Sequence, residues 1–131
     1  MGEPLSLVVP ANPENVASPN GVEITYDPAT IEYGGNRVLW WGGRWIQVTT
    51  SLPYAAMGVQ FYGTSSIGWA SIFFDGTEVW RGDVAKVWDH FGSYGGYIEV
   101  SGYQPGEHTL RVEIVEGDYR PLTIAMFGFQ K

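Results

Sequence analysis

Residues 37 to 48 read "RVLWWGGRWIQV", which places Trp40, Trp41 and Trp45 within six positions around Gly42-Gly43. A second aromatic stretch, "WRGDVAKVWDHFGSYGGY", interleaves Trp80, Trp88, Phe91, Tyr94 and Tyr97 with Arg81, Asp83, Asp89, His90 and Ser93. Rings mixed with polar groups suit one kind of chemistry. They hold a ligand that has flat apolar faces and a hydrogen-bonding rim. Bond-making chemistry finds less support. With two histidines, no cysteine and no H-x-H or H-E-x-x-H spacing, a zinc site is not indicated. Neither G-x-S-x-G nor a Ser-His-Asp set is present. "GSYGG" lacks the lysine and the helix context of a phosphate loop. His108, in "GEHTL", reads as a structural turn-to-strand residue, and His90 is the better functional histidine.

The elements that must position these residues are strands. The chain has 131 residues, enough for one domain with a proper core. Aromatics make up 15% and charged residues only 16%, with 18 glycines. That composition suits an all-β domain with an aromatic surface. A first strand is expected at "LSLVV", inside an extended segment over residues 1–21, followed by a β-domain over 22–131. Short β-rich runs then alternate with turn signals: "VEITY", "TIEY", "RVLWW", "RWIQVTT", "AAMGVQFYG", "GWASIFF", "TEVW", "YIEVSG", "HTLRVEIVE" and "LTIAMFGF". About ten strands of this kind make a sandwich or barrel. "HTLRVEI" alternates, so Leu110, Val112 and Ile114 should face the core and Arg111 and Glu113 the solvent. Asp75-Gly76 suits a two-residue type I′ hairpin. Trp69 is expected in the core. Only "DVAKVWDHF" has helical spacing, with Asp83 as a possible cap.

If Gly42-Gly43 is a tight hairpin turn, Trp40 lies opposite Trp45 and Val38 opposite Gln47. Leu39 and Ile46 then share the other face with Trp41 and Arg44. The face with the aliphatic pair is the better core candidate. Trp40 and Trp45 either stabilise the hairpin as a cross-strand pair or form a platform. A hairpin tip placed elsewhere would put Trp41 in the role of Trp40.

From residue 61 onward the pattern is a familiar one. "FYGTSSIGWASIFFDGTEVWRGD" and "YIEVSGYQPGEHTLRVEI", with "ATIEYGGN" upstream, resemble the galactose-binding-like jelly-roll domains. The resemblance covers roughly residues 22–129, mostly at turn and core positions. It implies an all-β jelly-roll sandwich of two mostly antiparallel sheets. Many such domains are carbohydrate-binding modules attached to glycoside hydrolases, and some hold a structural calcium ion. A sugar supplies apolar ring faces for stacking and hydroxyls for hydrogen bonds. The expected ligand-binding residues are therefore Trp40, Trp45, Gln47, Trp88, Asp89, His90 and Tyr94, with Arg44 and Asn36 as further polar candidates.

Two other readings stay open. One is a small glycan-active enzyme using two carboxylates among Glu32, Asp83, Asp89 and Glu99, set about 5–9.5 Å apart. The other is a structural or adhesive sandwich whose aromatics meet a protein partner. The net charge of −7 and the lack of a basic cluster argue against nucleic acid and anionic membrane as partners. No run approaches the ~18 apolar residues of a membrane span. Met1-Gly2 reads as the start of an excised domain. With the resemblance to modules of glycoside hydrolases, the expected setting is an extracellular, multidomain protein.

Overall fold

The computed structural model describes residues 6–12, 18–62, 68–84, 96–115 and 120–130. Among the described residues there are eleven strands: β1 (Leu7–Pro10), β2 (Val22–Tyr26), β3 (Ile31–Tyr33), β4 (Asn36–Leu39), β5 (Trp45–Thr50), β6 (Ala56–Tyr62), β7 (Trp69–Phe74), β8 (Thr77–Asp83), β9 (Tyr97–Ser101), β10 (His108–Ile114) and β11 (Leu122–Gln130). They form two sheets. One runs β3-β4-β11-β6-β9, with β1 also paired to β11; the other runs β2-β5-β10-β7-β8. All pairings are antiparallel. The expected all-β sandwich is thus present. No α-helix occurs among the described residues. Asp83 closes β8, and residues 85–95, where the helical spacing was read, lie outside the described residues.

The core follows from strand alternation. Leu110, Val112 and Ile114 on β10, Ile46 and Val48 on β5 and Ile72 on β7 are all buried. They meet Leu39 on β4, Met57, Val59 and Phe61 on β6, and Leu122, Ile124, Phe127 and Phe129 on β11. Arg111 and Glu113 lie on the outer face of β10 and keep about a third of their side-chain surface, as their parity requires. On β11 the buried set shifts from even to odd positions. A bulge between Ile124 and Met126 inserts Ala125 as the extra residue, which lets Ile124 and Phe127 both point inward.

Asp75 and Gly76 form the expected hairpin turn between β7 and β8, both with positive φ (50° and 85°). Trp69 departs from expectation. It is 42% exposed, because the neighbouring Ala70 and Ile72 take the inward parity at the start of β7.

Candidate functional site

The tryptophan-rich stretch does not form a hairpin. β4 belongs to the six-stranded sheet and β5 to the five-stranded one, so residues 40–44 carry the chain from one layer to the other. Leu39 and Ile46 are both buried, as read from the sequence, but they reach the core from opposite sheets. The expected pairing of Trp40 with Trp45 is overturned. Trp45 instead pairs in register with Glu113 on β10.

The crossover is fastened at its far end. Gly43 donates its N–H to the Ile114 carbonyl (3.1 Å), and the Ile114 N–H donates to the Arg44 carbonyl (3.0 Å). The preceding residues stay out of the core. Trp40 is 47% exposed and Trp41 57%. Trp41 has φ 77°, a left-handed backbone that costs a bulky residue roughly 1–3 kcal/mol and that gathers at functional sites.

A compact turn supplies the opposite wall. The Asp27 carbonyl accepts hydrogen bonds from the Thr30 N–H (2.9 Å) and hydroxyl (2.7 Å). The Asp27 carboxylate accepts the Ala29 N–H (2.9 Å) and lies 3.5 Å from the Arg44 guanidinium. Asp27 thereby sets both the turn and the arginine. Between the walls lies an open cleft of about 310 Å³ lined by Ala29, Ile31, Trp40, Trp41 and Arg44. It presents two indoles, an aliphatic floor and one cation already offset by Asp27. Such a cleft can stack flat apolar faces and donate hydrogen bonds from Arg44.

No family model matches the sequence, and no curated protein does. Solved structures do match. The CBM36-1 domain of a multidomain xylanase, from the hindgut metagenome of Trinervitermes trinervoides, aligns with a TM-score of 0.63 at 10% identity, over 95% of this chain and 96% of that one. Carbohydrate-Binding Module CBM36 in complex with calcium and xylotriose aligns at TM-score 0.54 and 10% identity, over 95% and 99%. This chain shares their fold. The catalytic domain of a GH87 alpha-1,3-glucanase bound to nigerose also matches (TM-score 0.59, 12% identity), with 95% of this chain covering 28% of that one.

Of the other residues expected at the site, those the structure describes lie away from the cleft lining. Trp45 and Gln47 lie on the outer face of the five-stranded sheet. The Arg111 guanidinium sits 4.3 Å above the Trp45 ring, donates to Glu113 at 2.6 Å and reaches Gln47 at 3.5 Å. One face of that indole is therefore taken by a cation–π contact. Trp88, Asp89, His90 and Tyr94 lie outside the described residues. Asn36 is on β4 and does not line the cleft. Ile31 and Ala29, which line the cleft, were not among the expected residues, and Trp41 was expected only as the alternative to Trp40. The presence of Trp41 beside the glycine pair was the one signal for it.

His108 has a structural setting. Its Nδ1 lies 2.7 Å from an Asp75 carboxylate oxygen and its Nε2 2.6 Å from the Gln104 carbonyl. The ring stacks on Phe74 and meets Tyr103 edge-on. The hydrogen bond to Asp75, and next that to Gln104, raise its pKa above the usual 6.5, since two acceptors favour the doubly protonated ring.

Three of the carboxylates weighed for catalysis lie on separate strands. Glu32 and Glu99 sit on β3 and β9, the two edges of the six-stranded sheet, and Asp83 sits on β8, an edge of the other. Glu32 already accepts hydrogen bonds from the Gly35 N–H (2.9 Å) and the Asn12 amide (3.3 Å). Asp89 lies outside the described residues. Among those described, no group of three His, Cys, Asp or Glu residues could hold a metal ion, so they assign no ligand set for the calcium suggested by the jelly-roll resemblance.

Proposed function

We propose that this chain is a non-catalytic carbohydrate-binding module of a secreted, multidomain protein, and that it grips its glycan in the Trp40–Trp41 cleft. The observation that carries this reading is the pair of adjacent, half-exposed indoles in a cleft completed by Ala29, Ile31 and Arg44, one of them held there against its backbone preference. The shared fold of the CBM36 domains supports it. Trp40 and Trp41 stack on pyranose faces, and Arg44, steadied by Asp27, donates to hydroxyls. Among the described residues the cleft lining contains no carboxylate, whereas glycoside hydrolysis uses an acid pair.

The test is affinity electrophoresis on soluble polysaccharides and pull-down on insoluble ones, comparing wild type with Trp41→Ala. Retarded migration that persists in high salt and is lost in the variant supports the reading. A wild type that binds no glycan on the panel, or a Trp41→Ala variant that binds as well as wild type, overturns it. Release of reducing ends, abolished by changing one carboxylate to its amide, would make the chain an enzyme instead.

A further inference from the structure

Ile31, which lines the cleft, also stands at one end of a row of paired residues. In the six-stranded sheet Ile31 pairs with Val38, Val38 with Thr123, and Thr123 with Tyr62. Residues directly opposite one another on neighbouring strands project from the same face. The inward parity on these strands belongs to Arg37, Leu39, Leu122, Ile124 and Phe61, all buried, so this row faces outward. Its two ends are open: Ile31 is 51% exposed and Tyr62 56%.

With strands spaced about 4.8 Å apart, the row crosses four strands over roughly 14 Å. None of its four residues is charged, nor is the flanking pair Tyr33 and Asn36, in a chain with 14 acidic residues. Scattered surface hydrophobics need no explanation, but a contiguous strip that opens into a cleft marks an interaction site.

We infer that the Ile31–Val38–Thr123–Tyr62 row is a second, extended subsite, over which a neutral glycan chain seated in the Trp40–Trp41 cleft continues across the strands to stack on Tyr62. The inference rests on the carbohydrate reading above and narrows it to chains longer than the cleft alone can hold. The lack of charge selects a neutral polymer over a uronate or sulfated one. Ile31, shared by the cleft lining and the row, makes the two surfaces continuous. Thr123 supplies a hydroxyl midway, and Tyr62 a ring at the far end.

The experiment is calorimetric titration of cello-, xylo- and nigero-oligosaccharides, from the disaccharide to the hexasaccharide, into wild type, Tyr62→Ala, Tyr62→Phe and Trp41→Ala. For the series that binds, wild-type affinity should climb with chain length. Tyr62→Ala should lose about tenfold on the hexasaccharide and nothing on the disaccharide, and Tyr62→Phe should keep most of the gain. Trp41→Ala should lose both lengths. Equal loss at every length in Tyr62→Ala, or no loss on the hexasaccharide, overturns the extended subsite while leaving the cleft intact. No binding of any series or parent polysaccharide by wild type overturns the carbohydrate reading and this inference together. A wild-type dimer in sedimentation that Tyr62→Ala dissolves would assign the strip to a second copy of the chain and overturn the inference also.

Discussion

Among the described residues, two turns hold a non-glycine residue at positive φ, and they use it in opposite ways. At the β7–β8 hairpin the residue is Asp75 (φ 50°), and at the β4–β5 crossover it is Trp41 (φ 77°). Asp75 belongs to a type that tolerates this backbone region. It also returns stability to the fold. Its carboxylate accepts the Thr109 N–H at 2.9 Å and holds His108 at 2.7 Å, joining the hairpin tip to β10. Trp41 is bulky, and it puts its ring into an open cleft rather than into the core. Strain at the first turn is offset by local hydrogen bonds. In the proposed function, strain at the second is returned by the ligand, as backbone strain gathered at functional sites can be.

The sharpest way to break that comparison is to relax both turns. Trp41→Gly should leave the melting temperature unchanged or raise stability by up to about 1 kcal/mol, since glycine accepts the left-handed backbone. The same variant should weaken glycan binding by about 2 kcal/mol or more, roughly thirtyfold. A destabilised but fully binding Trp41→Gly would show that the indole serves the fold. Asp75→Ala should do the reverse. Loss of its charge-assisted hydrogen bonds should cost about 1–2 kcal/mol in denaturant titration, with glycan affinity retained.

Trp45 sharpens the contrast within one stretch of sequence. Trp45→Ala removes the stack under Arg111 and should cost about 1 kcal/mol of stability, while disaccharide affinity stays that of wild type. A loss of binding as large as that of Trp41→Ala would put the ligand on the outer face of the five-stranded sheet instead.

The smallest expected effect is a pH dependence at the hairpin. His108 has its pKa raised in the folded state. The stability it contributes is therefore fully present below its unfolded value near 6.5 and is lost as pH rises through the higher folded value. The advantage of wild type over Asp75→Asn in thermal melts should be largest in mildly acidic buffer and shrink as pH rises. Glycan binding should not follow this profile. An advantage that grows toward alkaline pH would mean that the His108–Asp75 contact does not favour the imidazolium.

Much of the architecture was legible in the sequence because it rests on local rules. The alternation in "HTLRVEI" placed Leu110, Val112 and Ile114 in the core, since a strand shows successive side chains to opposite faces whatever its partner. Asp75-Gly76 declared its turn because few residue pairs accept two positive φ values. The position of each strand followed from apolar runs bounded by turn residues. Trp69 was misassigned because ring size suggests burial, whereas parity with Ala70 and Ile72 decides it.

The tertiary structure alone decided what the tryptophans face. A glycine pair permits a tight hairpin and a loose crossover equally well, so nothing local to residues 37–48 says whether β4 and β5 pair with each other. β4 pairs with β3 and β11, and β5 with β2 and β10. Of these partners β10 and β11 lie far along the chain and in separate sheets, and the choice of them is made by burial of the whole core. That choice divides the tryptophans. Trp45 meets Arg111 on one sheet, while Trp40 and Trp41 stand at the junction between sheets, beside a turn set by Asp27. Residue types made an aromatic surface legible in the sequence; the cleft itself exists only once the segments 27–31 and 40–44 are brought together across the β3–β4 pair.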